Sequence, residues 1–156
     1  NRTPDRAAAV VADLVAEGLP AEVAGDLPAA VGTADVISAA TRATEPLILG
    51  ADLRPGTHVD LVGGFTPATR ETDDAAIARS LLFVDRREPA FECGDVLSPI
   101  ESGAITADHV LGDLHDLVAG RVGRTSPDDI TIFKNAGGGH LDLFTAEALL
   151  RASAEI

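Results

Sequence analysis

Two adjacent glycines, Gly63 and Gly64, follow an alternating apolar run made by Val59, Leu61 and then Val62. A buried strand that ends in a glycine pair turns its backbone where something must come close. Phe65, Thr66, Pro67, Arg70 and Glu71 follow at once. A second group lies at the start of the chain, where Arg2 and Arg6 flank Thr3-Pro4. Thr3 suits a helix N-cap and Pro4 the first helical position. A helix N-terminus favours an anion, and guanidinium groups match phosphate oxygens two at a time. A third group is at Thr41, which ends an apolar run behind Ala39 and Ala40, where a backbone can approach a ligand or a hydroxyl can cap a helix. A fourth is at Asn135, after the run Ile130–Phe133, in Lys134-Asn135-Ala136-Gly137.

Other reactive residue types carry less. Glu71 could act as an acid, but with Arg70, Asp73 and Asp74 it reads as local pairing and helix capping. His58, His109, His115 and His140 show no spacing for a metal pair, so no metal is expected. Cys93, the single cysteine, excludes an intramolecular disulfide and reads as packing, with no activating group beside it. Gly137-Gly138-Gly139 precedes a helical stretch and reads first as a turn, with a phosphate nest as the alternative.

The elements that must position these residues follow from composition and pattern. The 156 residues predict one domain. Aromatics make up 3%, so the core must be Ala, Val, Leu and Ile, which suits helices on a parallel sheet. With 25 acidic and 12 basic residues the formal charge is -13, which sets aside nucleic acid and anionic lipid as partners. No apolar run approaches the roughly 20 residues of a membrane helix, and no signal peptide is visible, so a cytoplasmic location is the default expectation.

The pattern predicts an Ala-rich helix over 4 to 17, with Ala8, Val11, Leu14 and Val15 on one stripe. A short strand is expected at Ala21 to Ala24, and a short helix from Asp26 to Val31. Strands are expected at 35–40, 57–62, 81–85 and 129–134. Helices are expected from Asp73 to about Arg79, from Glu88 to Val96 broken at Gly94, from Ala107 to Val118 on the spacing of Leu111, Leu114 and Val118, and from about 140 to 153. Alternating strands and helices predict an α/β fold with a doubly wound, mostly parallel Rossmann-like sheet and a C-terminal helix. In such a sheet ligands sit beyond the carboxyl ends of the strands, which puts Gly63-Gly64 over a nucleotide. The end of the second strand there meets the adenine ribose; an acid binds the free 2′-hydroxyl and an arginine accepts a 2′-phosphate. Asn1-Arg2 supplies no acid, so Arg2 and Arg6 favour NADP(H), with NAD(H) possible. The glycine-rich pyrophosphate loop would precede Asn1. The sheet is therefore expected to be truncated at its N-terminus, lacking its first strand.

Several segments resemble a known family in order and spacing. They are Asn1-Arg-Thr-Pro-Asp-Arg6, Ala34-Asp-Val-Ile-Ser-Ala-Ala-Thr41, Val62-Gly63-Gly64-Phe65-Thr66-Pro67 with Arg70-Glu71, Gly94-Asp95, Pro99-Ile100 and Ile132-Phe-Lys-Asn-Ala-Gly137. Together they resemble the ornithine cyclodeaminase/mu-crystallin family over nearly the whole chain. The resemblance implies that 1–156 is the dinucleotide-binding part of a longer polypeptide, with Asn1, Arg2, Thr3, Arg6, Ala40, Thr41, Val62, Gly63, Gly64, Phe65 and Asn135 facing the cofactor. It also implies a homodimer through a missing N-terminal half, which would supply the catalytic residues and receive the C-terminal helix.

Two positions depart from the family pattern. Cyclodeaminases have an aspartate where Phe65 stands, and a serine is usual in place of Asn135. Phenylalanine cannot move a proton, so the loop looks more like the ketimine reductase branch, which reduces Δ1-pyrroline-2-carboxylate and Δ1-piperideine-2-carboxylate to L-proline and L-pipecolate. Ornithine cyclodeamination, alanine dehydrogenase chemistry and a non-catalytic, mu-crystallin-like NADP-dependent binding protein are the alternatives.

Overall fold

Among the described residues, four-residue stretches that each carry apolar side chains and are bounded by turns or helices make five strands, and every pairing between them is parallel. The computed structural model describes residues 3–154, so Asn1 and Arg2 lie outside the described residues. The strands are β1 (Val36–Ala39), β2 (His58–Leu61), β3 (Leu81–Val84), β4 (Val110–Asp113) and β5 (Thr131–Lys134). Their order across the sheet is β1-β2-β5-β3-β4, so the last strand in sequence is the middle one in space. The helices are α1 (Pro4–Ala16), α2 (Leu27–Thr33), α3 (Asp74–Ala78), α4 (Arg87–Ala90), α5 (Gly94–Glu101), α6 (Leu114–Val118) and α7 (Gly139–Ala154). This is the expected Rossmann-like α/β sheet, with every described strand parallel.

Side chains alternate across a strand, so register decides which residues share a face. Ile37, Val59, Ile132 and Leu82 stand in one row, and Ala39, Leu61, Lys134 and Val84 in the next row toward the carboxyl edge. These rows floor the core, which also takes in Ile48, Leu53, Ile77, Val96 and Ile105. Lys134 is the one charged side chain in them, and it is fully buried. The opposite face carries Val36, His58, Thr131 and Leu81, then Ser38, Asp60, Phe133 and Phe83. It is more open, with Val36 at 65% exposure.

His58 on this face lies with its Nδ1 2.8 Å from Thr131 Oγ1. Burial holds its imidazole below the ordinary value of 6.5; the Asp60 carboxylate pulls the other way and Arg124 adds to the lowering. The unfolded chain therefore takes up a proton at a pH where the folded one does not. The stability contribution is complete above pH 6.5 and is lost as pH falls through the folded value. Thermal unfolding between about pH 7.5 and about pH 5 should show this loss, and His58→Gln should flatten it.

Three expected elements are corrected. Residues 21–24 form no strand; Val23 is exposed and the segment leads irregularly into α2, whose first turn is capped by Asp26 (Ala29 N–H to Oδ1, 3.2 Å). The helix expected over Ala107 to Val118 is a 3-10 turn (Ala107–His109), then β4, then α6. Asp113 ends the strand and opens α6 through a capping box with Asp116. Leu111, Leu114 and Val118, whose spacing suggested the helix, are all exposed to some degree. The helix expected over Glu88 to Val96 is two helices, and Gly94 begins α5 rather than breaking a longer one. On α1 the expected stripe is partial: Val11 and Leu14 are half-buried, while Ala8 and Val15 are exposed.

Candidate functional site

Three neighbouring strands, β1, β2 and β5, end side by side. Their following residues form one rim: Ala40 and Thr41, Val62 to Phe65, and Asn135 to Gly137. The backbone stitches this rim together. Val62 N–H donates to Ala39 O at 2.8 Å, and Asn135 N–H to Leu61 O at 2.9 Å. Seven of the expected site residues thus come together. Thr3 and Arg6 do not belong to the rim; both are exposed on the first turn of α1, where Thr3 O accepts from Arg6 N–H at 3.1 Å.

The glycine pair has a specific reason. Gly64 has φ +60, in the left-handed region, and both glycines are buried. A Cβ at Gly63 would collide with the Thr41 carbonyl and the Glu71 carboxylate; at Gly64 it would collide with the Asp95 carboxylate. What comes close to this loop from below is the chain itself. Asp95 is fully buried, and its Oδ1 accepts from Glu71 N–H (2.7 Å), Thr72 N–H (2.9 Å) and Thr72 Oγ1 (2.9 Å). Glu71 is fully buried, and its Oε1 accepts from Thr41 N–H at 2.5 Å. Lys134 Nζ donates to the carbonyls of Gly63 and, at 3.4 Å, of Leu61, and lies 3.7 Å from Asp95 Oδ2.

A third buried carboxylate supports the other side of the rim. Asp85, 2% exposed at the end of β3, accepts from Arg86 N–H (2.8 Å), Ala136 N–H (3.0 Å) and Gly137 N–H (3.0 Å). Asn135 Oδ1 also accepts from Gly137 N–H, at 2.8 Å. The glycine run after β5 is thus a turn tied to a strand end.

Sequence reasoning missed the grouping of Glu71, Asp95 and Lys134 and the separate role of Asp85; Glu71, expected to pair or cap locally, instead reaches the Thr41 amide 30 residues away. The available signal was a charge closing each apolar run: Asp85 after Leu81–Val84, and Lys134 after Ile130–Phe133. Other residues follow their expected roles. Asp73 caps α3, accepting from Ala76 N–H and Gly50 N–H, both at 2.8 Å. Ser102 and Arg70 both donate to Asp74 and hold its carboxyl below the ordinary carboxylate range. Cys93 is buried, and burial pushes its thiol up, the opposite of activation.

Above the rim the chemistry is different. Phe65 is 56% exposed and Val62 43%, so Phe65 is not core. Exposed apolar side chains beside backbone amides and carbonyls at the carboxyl edge of a parallel sheet fit a planar heteroaromatic ring. Among the described residues no group of three or more His, Cys, Asp or Glu could hold a metal ion. No helix there is long and apolar enough to cross a membrane.

Comparison with known proteins agrees with this geometry. The model of the ornithine cyclodeaminase/mu-crystallin family matches residues 1–152. A Δ1-pyrroline-2-carboxylate reductase of Paracoccus denitrificans is 53% identical over 98% of this chain and 49% of its own length. The structure of Thermococcus litoralis Δ1-pyrroline-2-carboxylate reductase, in complex with NADH and L-proline, superposes with TM-score 0.83 at 31% identity, covering 86% of this chain and 43% of that one. The iminosuccinate reductase of Paracoccus denitrificans, in complex with NAD+, superposes with TM-score 0.86 at 29% identity, covering 98% and 47%. The chain spans about half the length of the curated relatives it matches. A Rossmann-like sheet, the ordered motifs along the rim and the family match over nearly every residue place this chain in the ornithine cyclodeaminase/mu-crystallin family.

Proposed function

We propose that this chain is the dinucleotide-binding part of a reductase that converts cyclic α-imino acids to L-proline or L-pipecolate with a nicotinamide cofactor. The observation that carries the reading is Phe65, exposed on the rim where a cyclodeaminase has its aspartate. Residues of the rim, Val62 to Phe65 among them, would hold a reduced nicotinamide, which would supply the hydride for the C=N carbon; with a proton at the imine nitrogen this gives the amino acid and the oxidised cofactor. Val62 and Phe65 would exclude water from one side of the reacting rings. The Paracoccus and Thermococcus relatives support this substrate class.

The runner-up, ornithine cyclodeamination, needs an acid on this rim. Glu71 does not replace the missing aspartate, because it is fully buried and holds the Thr41 amide. The non-catalytic binding protein differs only in turnover. Homodimer formation through the part of the relatives outside this chain belongs to the same proposal. So does packing of α7 on that part; its exposed Leu143, Leu149 and Leu150 support it.

The test uses the longest natural polypeptide containing this chain. NADPH and NADH absorbance is followed with Δ1-pyrroline-2-carboxylate and Δ1-piperideine-2-carboxylate, with ornithine and NAD as the control. Oxidation of the reduced cofactor by an imine, without ammonia from ornithine, is the expected result. Ammonia release would overturn the reading in favour of cyclodeamination. NADPH protection against unfolding without turnover would favour the binding protein.

The finer proposal is a preference for NADP(H). The supporting observation is Arg6, exposed on the first turn of α1. Arg6→Ala should raise KM for NADPH about tenfold and leave KM for NADH within about twofold, the loss of one charge-assisted phosphate contact.

A further inference from the structure

We infer that Lys134, Asp95 and Glu71 form a buried positioning unit that sets the height of the Gly63-Gly64-Phe65 backbone above the sheet. In the reductase proposed above, on which this rests, that backbone would set the distance over which the hydride moves. Lys134 and Glu71 hold the rim directly, and Asp95 holds the segment that carries Glu71. Lys134 Nζ takes the carbonyls at the end of β2, Asp95 takes the amides of Glu71 and Thr72, and Glu71 takes the amide of Thr41 after β1.

Stability alone is a poor reason for such a unit. A buried ion pair replaced by apolar side chains of similar volume is often as stable or more so. This one buries two carboxylates and one ammonium completely, with Lys134 in a row otherwise built from Ala39, Leu61 and Val84 and the acids of Glu71 and Asp95 packed beside it under the loop. It also leaves Glu71 Oε2 and Asp95 Oδ2 shut from water with no hydrogen bond. The glycine pair then follows as a consequence. The acids occupy the space under the loop that a Cβ at Gly63 or Gly64 would need. The cluster and the loop fit as one body, so a small shift in the cluster is passed to Phe65. Misplacement by about 1 Å is enough to slow a positioned reaction about 100-fold.

Asp95→Asn tests this without changing shape. Its Oδ1 keeps the Glu71 and Thr72 donors, while the amide nitrogen takes the place of Oδ2 opposite Lys134 Nζ. A donor against a cation pushes Nζ and the Gly63 carbonyl it holds. Glu71→Gln is the second variant, and it keeps an acceptor for the Thr41 amide. In the natural full-length enzyme, each should lower kcat with the imine about tenfold or more, while the dissociation constant for NADPH stays within about threefold. Unchanged kcat in both variants would overturn the proposal. So would equal losses of kcat, cofactor affinity and thermal stability, which would mark the cluster as scaffold only. If the unmodified protein reduces no imine, the reductase reading fails but the positioning claim is still read by the fluorescence of bound NADPH. A shifted emission in either variant supports it, and emission identical to wild type in both overturns it.

Discussion

Lys134→Met is expected to cost about 3–5 kcal/mol, because it leaves the Asp95 carboxylate buried with no cation near it. Domains of this kind are stable by about 5–15 kcal/mol, so the loss is a large share of the total. The methionine matches the lysine stem in length, so the core row of Ala39, Leu61 and Val84 stays filled. The cost is electrostatic rather than a cavity. Chemical denaturation of the natural polypeptide, with and without the substitution, measures it. A paired Lys134→Met/Asp95→Asn variant should recover part of the loss, since it removes the unpaired charge. Recovery of nothing would mean that the two side chains do not sense each other across 3.7 Å.

Gly64→Ala has the other large expected effect, and two penalties act together. The position has φ +60, which costs a residue with a side chain roughly 1–2 kcal/mol. The added Cβ also meets the Asp95 carboxylate, a group held by three hydrogen bonds and unable to retreat. Overpacking of this kind costs about 1–3 kcal/mol. Gly120→Ala separates the terms. Gly120 has a similar φ of +67, but nothing lies within 4 Å of its added Cβ. It should lose only the conformational part, and the difference in unfolding free energy isolates the collision. Equal losses at both positions would remove the packing argument.

Much of the fold was legible because register and burial agree with short apolar runs. The strands expected at 35–40, 57–62, 81–85 and 129–134 all occur, trimmed to four residues each. The segment Val110–Asp113 was misread for a physical reason. Its Leu111, together with Leu114 and Val118, imitates one face of a helix, while Val110 and Gly112 carry the buried contacts. The second signal was Asp113 three residues before Asp116, a helix start placed inside the supposed helix. Residues 21–24 failed differently: of Ala21, Glu22, Val23 and Ala24 only the valine favours a strand, and no described strand lies beside it to bond to.

The site was legible as backbone and illegible as charge. Gly63, Gly64, Thr41 and Asn135 could be placed because strand ends are where a sheet receives ligands. The pairing of Lys134 with Asp95, and the reach of Glu71 to Thr41, join residues 39 and 30 positions apart. No local pattern encodes contacts of that span. Glycine was read as an invitation to a ligand, whereas here it first makes room for two of the protein's own acids.

The central place of β5 has a bearing on how the chain is made. Until Thr131–Lys134 leaves the ribosome, β1 with β2 and β3 with β4 are two separate ribbons of two strands. Ribbons of two strands are marginal in water. Each would wait with an inner edge bare, Val59 and Leu61 on one side and Leu82 and Val84 on the other. Between the making of β2 and that of β5 the nascent chain thus carries aggregation-prone edges, and β5 seals both at once. The same strand delivers Lys134 and the Asn135 turn, so the two ribbons and the rim are joined in one event.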